Sequence, residues 1–312
     1  MISKIITDNG LAYDVVSIMN RGSQGTIYKV QRKDKLYAAK IYHSVSEESW
    51  ENVKHLSLQG APGFSEVSGY VWPLHIISSP DRGFIMEFVD LRDYRSVNQL
   101  HDYRVLTVID RMKVSIEMMK SLLALHLKTG KIFGDLSPNN VLINIKTHSI
   151  KIFDVDSIGT KQFDVAGTSG YMSRNTLIDQ KPNFESDVFA MYVLVHELIF
   201  NKHPYDGRFA QSFTTYEEGI NQSILSRQQY IFVQREHENS LDPNDKRTKA
   251  IWDYFIPDSL RSIFLKMFQS DISLELVIEM FEHHLQSTHK CSCGGQSMTT
   301  TCTTCYQPME TE

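Results

Sequence analysis

Short hydrophobic runs rich in β-branched and aromatic residues make up most of the chain up to residue 89, and such runs are typical of β-strands. Glycine, asparagine or charged residues separate the runs and indicate turns. One polar stretch, 46–58, instead predicts a helix, because Ser46 and two glutamates suit a helix N-terminus. A loop-like stretch, 60–68, follows it. The predicted strands are 13–19, 26–31, 36–42, 70–77 and 83–89.

After residue 90 the hydrophobic period becomes that of helices. Apolar residues at helical spacing predict a long amphipathic helix over 105–127, and the most apolar segment, 186–200, predicts a buried helix. Between them, two short β runs at 141–145 and 150–153 flank a polar turn. We therefore predict an α+β fold with two lobes, a small β-rich lobe ending near residue 88 and a larger α-rich lobe beginning near residue 91.

The charge distribution argues against several classes of protein. The 312 residues carry a net charge of −5, with acidic and basic residues interleaved, so no basic surface for nucleic acid or a membrane is indicated. Residues 1–10 lack the layout of a signal peptide. The apolar segment 188–200 contains His196 and Glu197 and is too short to span a bilayer. We expect a cytoplasmic protein with neither a nucleic-acid nor a membrane partner.

All four cysteines lie close together, as Cys291-x-Cys293 and Cys302-x-x-Cys305. A secreted fold would spread disulfides through the domain, so this spacing favours a reduced compartment. Four thiolates in two such pairs can close a tetrahedral Zn²⁺ site, whereas the alternative is a disordered tail with unrelated cysteines. Since four protein ligands leave no open position, we expect a structural, zinc-ribbon-like tail that can dock a partner.

Two features of the β-rich region suit a phosphate group. Gly22 and Gly25 lie in the turn between the first two predicted strands, where glycines let backbone N–H groups close over phosphates. Lys40 lies in the otherwise apolar strand 36–42, at a separation that allows an ammonium group below this turn. Each feature also has an ordinary explanation, since glycines form hairpins and a lysine at a sheet edge faces solvent.

The strongest chemical signal is a pair of polar residues around a proline-containing turn. Asp135 and, five residues on, Asn140 bracket this turn before strand 141–145. In phosphoryl transfer the Asp135 carboxylate would orient the attacking hydroxyl and accept its proton, and the Asn140 oxygen would bind Mg²⁺. Asp154 ends the next apolar strand and fits a second Mg²⁺ ligand. A capped turn and a β-turn are the alternatives for these positions.

In this order and spacing, the segments resemble the protein kinase superfamily. Two further segments support the resemblance, since 167–172 is similar to the end of a kinase activation segment and 186–190 to the buried helix after it. The resemblance covers 13–285, leaving an N-terminal lead over 1–12 and the cysteine tail over 286–312. The general pattern is similar to divergent prokaryotic or phage kinases of the eukaryotic type.

The resemblance implies ATP with Mg²⁺, or alternatively Mn²⁺, as cofactors. It implies that Met86 is the gatekeeper and that Glu87 to Val89 form the hinge that offers backbone hydrogen bonds to adenine. The residues implied to sandwich the adenine ring are Ile27, Ala38 and Leu142.

The resemblance also implies two pairings. Asp187 is expected to tie the backbone of the catalytic loop to the helix beneath it. Lys40 is expected to pair with a glutamate of helix 46–58, and Glu51 is the first choice because it precedes apolar residues on a plausible inward face. Glu47 and Glu48 remain open as partners.

The sequence departs from the family pattern at four places. Phe133-Gly134 replaces His-Arg, which removes the pocket for a phosphorylated activation loop. Ser137 replaces a lysine that contacts the γ-phosphate, and Val155-Asp156 replaces Phe-Gly. The segment 173–175 replaces Ala-Pro-Glu, and the arginine that would pair with this glutamate is missing as well.

These observations predict a serine/threonine protein kinase in which Asp135 is the base and Lys40 and Glu51 position ATP. Thr168 and Tyr171 favour a protein substrate. One alternative is a small-molecule phosphotransferase, a class that also has Gly-Asp at 134–135. A second alternative is an ATP-binding pseudokinase that acts as an adaptor.

Overall fold

The computed structural model divides the chain into a β-rich lobe and a helical lobe, as the sequence predicts. Part of the predicted loop, 64–68, lies outside the described residues. The structure describes residues 2–63, 69–159, 167–227, 229–233, 237–270 and 272–309.

The β-rich lobe is a closed antiparallel barrel with strand order β1-β2-β3-β4-β6-β5. One helix, α1 (Glu47–Gln59), packs beside it and is capped by Ser46, whose hydroxyl accepts from the Ser49 amide. The strands are β1 (Lys4–Thr7), β2 (Ala12–Arg21), β3 (Gly25–Arg32), β4 (Lys35–Tyr42), β5 (His75–Ser79) and β6 (Gly83–Glu87).

Strand β1 lies within the predicted N-terminal lead, 1–12, and belongs to the barrel. Ile5 lies opposite Tyr13 of β2, and Thr7 lies opposite Ile77 of β5, so β1 joins both neighbours. The Ile5 side chain is fully buried inside the barrel. Without β1 both neighbouring strands would present unpaired edges.

The predicted strand 70–77 is also shifted, because β5 begins only at His75. The backbone of Tyr70 and Val71 instead pairs with Ile152 in the other lobe. This stretch therefore connects the two lobes rather than extending the barrel.

The register of β4 determines where Lys40 faces. Ala39 and Ile41 face the interior of the barrel, whereas Ala38 and Tyr42 belong to a second apolar cluster with Trp50 of α1. Because side chains alternate along a strand, Lys40 shares the face of Ala38 and Tyr42 and points toward α1 and the interlobe cleft.

Helix α4 is the centre of the second lobe, with most of its side chains buried. Helix α2 packs against α4 and α8 and begins at Val108, where Thr107 and Asp110 form a capping box. A three-stranded sheet in the order β7-β8-β9 lines the cleft. The strands are β7 (Tyr94–Ser96), β8 (Val141–Asn144) and β9 (Ile150–Ile152). The helices are α2 (Val108–Thr129), α3 (Arg174–Asp179), α4 (Phe184–Phe200), α5 (Tyr216–Leu225), α6 (Lys246–Phe255), α7 (Asp258–Gln269) and α8 (Leu274–Gln286).

The cysteine tail packs against the second lobe. It contains a small hairpin of β10 (His289–Lys290) and β11 (Gln296–Ser297), and Met298 is buried in the core of the lobe. The Thr299 hydroxyl donates to the carbonyl oxygen of Tyr254 at 2.5 Å. The tail is therefore attached to the end of α6. Across the described ranges, we find no helix with both the length and the apolar character needed to cross a membrane.

We predict that Ile5→Ala destabilises the β-rich lobe by about 2–5 kcal/mol, because it leaves a cavity in the barrel. Ile6→Ala is the matched control, since Ile6 is 40% exposed, and it should shift stability by no more than about 0.5 kcal/mol. Urea unfolding followed by tryptophan fluorescence measures both. Equal midpoints for Ile5→Ala and wild type would show that β1 is not part of the barrel.

Candidate active site

The catalytic loop before β8 is held in place from below by one carboxylate. Asp187, which is almost fully buried on α4, accepts hydrogen bonds from the amides of Phe133 at 2.6 Å and Gly134 at 2.8 Å. It also accepts from Nε2 of His126 on α2 at 2.9 Å. These bonds are the ones that the family resemblance implies for Asp187, and they fix the loop from which Asp135 projects into the cleft.

Asn140 stabilises the same loop from within. Its side-chain amide donates to the carbonyl oxygen of Asp135 at 2.6 Å, and its Oδ1 accepts from the Ser137 amide at 3.0 Å. An amide oxygen has two lone pairs, so Oδ1 retains capacity for a metal ion. Ser137, at the position of the family lysine, is buried and adds no cation to the cleft.

Asp154 follows β9 and faces the cleft with Asp135. Its backbone is left-handed (φ +56°), a conformation that aspartate tolerates better than most residues. The pKa of Asp154 is raised, mainly because the surrounding protein removes water from the carboxyl group, and the charges of Asp156 and Asp135 add to this effect. The Lys40 ammonium acts in the opposite direction. Since the donors are oxygens and the clustered charge is negative, Asn140 and Asp154 fit a Mg²⁺ ion.

The prediction that Glu51 pairs with Lys40 is wrong. The Lys40 ammonium instead donates to Oδ2 of Asp156 at 2.7 Å and lies 3.9 Å from Asp154. Glu51 lies on the exposed side of α1 and pairs with Lys54. The reason is helical geometry, since the buried positions of α1 are Trp50, Val53 and Leu56, and Glu51 lies about 100° around the helix from the first of them.

Asp156 is a residue of the site that the sequence did not predict. The Tyr42 hydroxyl donates to the same Oδ2 atom at 2.6 Å, so two donors from β4 converge on one carboxylate. Burial, and then the charge of Asp156, raises the pKa of Tyr42. The available signal was the departure itself, an aspartate where the family has glycine, together with a tyrosine on the same strand face as Lys40.

The apolar wall of the cleft contains most of the residues expected around adenine. Ile27, Ala38 and Val89 lie in one cluster with the gatekeeper position Met86. Leu142 is half-buried on β8, and Phe153, which the sequence reasoning did not include, joins the cluster.

The hinge and the glycine turn complete the cleft. The Glu87 side chain pairs with Lys151 of β9, and strand pairing with β4 ends at Glu87, so the backbone of Val89 lies outside the sheet. Gly25 has a packing reason to be glycine, because a Cβ there would lie 2.5 Å from the carbonyl oxygen of Ile41. A Cβ on Gly22 would meet no atom closer than 3.8 Å, so this position borders open space.

The segment that the sequence likens to the end of a kinase activation segment contacts Asp135, the predicted base. The Thr168 hydroxyl donates to Oδ1 of Asp135 at 2.8 Å. The carbonyl oxygen of Gly170 accepts from Nε2 of His203 at 2.9 Å, and its amide donates to Asn221 at 3.1 Å. These contacts hold the segment beside Asp135 although the family's Ala-Pro-Glu anchor is absent.

A second anchor joins this segment to the central helix. The Tyr171 hydroxyl donates to the Glu197 carboxylate on α4 at 2.5 Å. The pKa of Glu197 is raised to about 7, mainly by burial. The hydrogen bond from Tyr171 lowers the pKa in part, and the charge of Asp206 raises it further. This hydrogen bond attaches the segment to the core of the helical lobe.

The four cysteines of the tail meet at one point. Sγ of Cys291 lies 3.7 Å from Cys305, Sγ of Cys293 lies 3.6 Å from Cys302, and all four sulfur atoms lie within 4.8 Å of one another. A tetrahedral ion with bonds of 2.3 Å to sulfur requires edges of about 3.8 Å, so the set fits zinc.

Backbone groups around the thiolates support the same geometry. The amides of Gly295 and Thr304 each donate to a cysteine sulfur at 3.4 Å. Burial raises the pKa of Cys302, but hydrogen bonds from the Cys305 and Thr304 amides lower it to about 6. A Cβ on Gly295 would lie 2.8 Å from the Cys302 sulfur, so the close approach of the two pairs requires glycine.

Residues 13–285 match the family described as the protein kinase domain, and the chain belongs to this family. A serine/threonine-protein kinase-like protein of Arabidopsis thaliana is 24% identical, over 64% of this chain and 59% of its own length. The mitogen-activated protein kinase kinase 2 of the same plant is 28% identical, over 62% of this chain and 54% of its own length. The mitogen-activated protein kinase kinase SIPKK of Nicotiana tabacum is 27% identical, over 64% and 58%. The chain thus spans little more than half the length of these relatives.

We predict that the ionisation of Glu197 lowers the stability of the protein between about pH 4.5 and pH 7. The buried His196 and His203 act in the opposite direction, because burial lowers the pKa of each. The raised pKa of Glu197 means that the folded state holds this proton more tightly than the unfolded state, so its contribution favours folding at the lower pH. The difference in thermal midpoint between Glu197→Gln and wild type should therefore rise with pH across this range, because only wild type loses the contribution of Glu197. The exposed Glu217 is the control, and Glu217→Gln should keep the wild-type slope. An unchanged slope in Glu197→Gln would contradict the assignment.

Proposed function

We propose that the chain is an ATP- and Mg²⁺-dependent serine/threonine protein kinase. The observation that carries the proposal is the convergence of Lys40, Asp135, Asn140 and Asp154 on one cleft between the two lobes. Asp135 orients the acceptor hydroxyl and accepts its proton as the γ-phosphoryl group is transferred. The hydrogen bond from Thr168 holds the Asp135 carboxylate in one orientation for this purpose.

The remaining residues bind the nucleotide. Ile27, Ala38 and Leu142 enclose the adenine ring, and the backbone at Glu87 and Val89 provides its hydrogen bonds. Lys40 contacts the α- and β-phosphates beneath the turn that contains Gly22 and Gly25. Asn140 and Asp154 hold Mg²⁺, or Mn²⁺ with the same donors, and this ion would neutralise phosphate charge.

A protein substrate is favoured by the ordered segment beside Asp135. Thr168, Gly170 and Tyr171 are each fixed by hydrogen bonds, which leaves a defined surface next to the base. The Ser/Thr preference is supported by the names of the relatives. The departures at 133–134, 137 and 173–175 support a divergent member of the family. From the general pattern of the sequence we propose the prokaryotic or phage type.

For the tail we propose a structural Zn²⁺ ion bound by Cys291, Cys293, Cys302 and Cys305. The sulfur distances support a zinc-ribbon-like site, and thiolate ligands suit the reducing, cytoplasmic setting that we propose for the protein. We propose no nucleic-acid or membrane partner. The docking of a protein partner on the tail stays a prediction, and a cavity of about 620 Å³ between the tail and α6 is a surface available for it.

We predict that Asp135→Asn lowers phosphoryl transfer about 10²–10⁴-fold, because the base is lost while the shape of the side chain is kept. The assay is transfer from radiolabelled ATP with Mg²⁺ to the protein itself and to generic protein substrates. Asp34→Asn, in the exposed turn between β3 and β4, is the control and should retain activity.

Three outcomes would contradict the proposal, each in a different way. Labelling that persists in Asp135→Asn would remove Asp135 as the base. Transfer to soluble hydroxyl compounds but not to proteins would favour the small-molecule phosphotransferase. A wild-type protein that neither binds MgATP nor transfers phosphate would be the pseudokinase.

We predict that the purified protein contains about one zinc ion per chain and that Cys302→Ser loses it, because a tetrahedral site needs all four thiolates. Metal analysis by mass spectrometry measures both. Ser292 lies between two of the cysteines, so Ser292→Ala is the control and should keep its zinc. A wild-type chain without metal would remove the zinc proposal and leave the kinase proposal intact.

A further inference from the structure

Lys40 is a nearly buried cation, and its charge is balanced from an unusual direction. Its side chain is 10% exposed, and so is that of Asp156, which lies 2.7 Å away. A buried charge without a partner is strongly unfavourable, so the position of Lys40 depends on this carboxylate.

Helix α1 presents no carboxylate to Lys40. Glu47 pairs with Arg82 at 2.8 Å, Glu48 is exposed, and Glu51 pairs with Lys54. The helix contacts the segment after Asp156 through a neutral side chain. The Asn52 amide donates a hydrogen bond to the carbonyl oxygen of Ile158 at 2.8 Å.

Tyr42 fixes the orientation of Asp156. Its hydroxyl donates to Oδ2 at 2.6 Å, and its ring packs edge-on against Trp50 with 6.4 Å between centroids. Lys40 and Tyr42 are two residues apart on β4 and share a face, so together they hold one carboxylate oxygen from the same side.

We infer that Asp156 is the positioning residue of the nucleotide clamp, so that Lys40 is set by the metal-binding loop and not by helix α1. Asp156 and Asp154 lie two residues apart around one 3₁₀ turn, Val155–Ser157. The group that would hold Mg²⁺ and the group that aims Lys40 at the phosphates therefore move as one unit. This inference rests on the proposed function for its consequence in catalysis, although the ion pair itself does not.

The kinetic test compares Asp156→Asn with Glu51→Gln, which removes the carboxylate that a helix-based clamp would need. We expect Asp156→Asn to lower kcat/KM for ATP about 10–100-fold, which is the effect of losing a hydrogen bond between charged groups. Most of this loss should appear as a higher KM for ATP. The thermal midpoint of each variant is measured alongside. Tyr42→Phe should give a smaller loss in the same direction, and Glu51→Gln should match wild type.

A change in Mg²⁺ requirement separates positioning from metal binding. If saturating Mg²⁺ restores Asp156→Asn to wild-type kcat/KM, Asp156 is a metal ligand and the inference is overturned. It is also overturned if Glu51→Gln, and not Asp156→Asn, weakens ATP binding.

A double-mutant cycle on the ATP-free protein tests the contact independently of activity. Lys40→Met and Asp156→Asn, alone and combined, should show coupling in urea unfolding, whereas Lys40→Met and Glu51→Gln should be additive. Additivity in the first cycle overturns the inference even if the kinase is active. A wild type that transfers no phosphate but shows the first coupling would defeat the proposed function and keep the assigned ion pair.

Discussion

The buried carboxylate of Asp187 is the interaction on which the geometry of the cleft depends. An ionised carboxylate inside a protein is costly unless donors surround it, and here three do so, two from the catalytic loop and one from His126. The loop that makes these bonds leaves Asp135 exposed and is braced from within by Asn140. The apolar packing of α4 then fixes Asp187 itself, so the chemistry of the cleft is supported by the core of the larger lobe.

Where this chain departs from the common kinase pattern, it replaces one satisfied pair by another. The Ala-Pro-Glu anchor is absent, and Tyr171 with Glu197 joins the activation segment to α4 instead. The glutamate expected on α1 faces solvent, and Asp156 supplies the carboxylate for Lys40. In both cases the charge or polar group that remains has a partner, as the cost of burying an unpaired group requires. The departures are therefore compatible with an ordered cleft.

Much of the fold could be predicted from local sequence because its signals are local. The short apolar run around Lys40 and the helical spacing before Thr129 predict β4 and α2 to within a few residues, and the turn around Asp135 is recognisable by its composition. Strand β1 was missed because four residues with two buried side chains are too few to show a periodic pattern. The partner of Lys40 was missed because it lies 116 residues away, and only the folded chain decides which carboxylate arrives. The attachment of the tail depended in the same way on Met298, a single apolar residue without a periodic context.

The burial of Met298 gives the tail a thermodynamic link to the lobe that it covers. A metal ion that binds the four thiolates would stabilise the folded tail, and because the tail shares its core with α6 and its neighbours, part of that free energy would be shared by the larger lobe. The melting temperature would then depend on the concentration of free metal. Each tenfold increase in concentration above the dissociation constant would add about 1.4 kcal/mol to the free energy of unfolding. The supply of metal would thus influence the stability of the whole lobe and not only that of the tail.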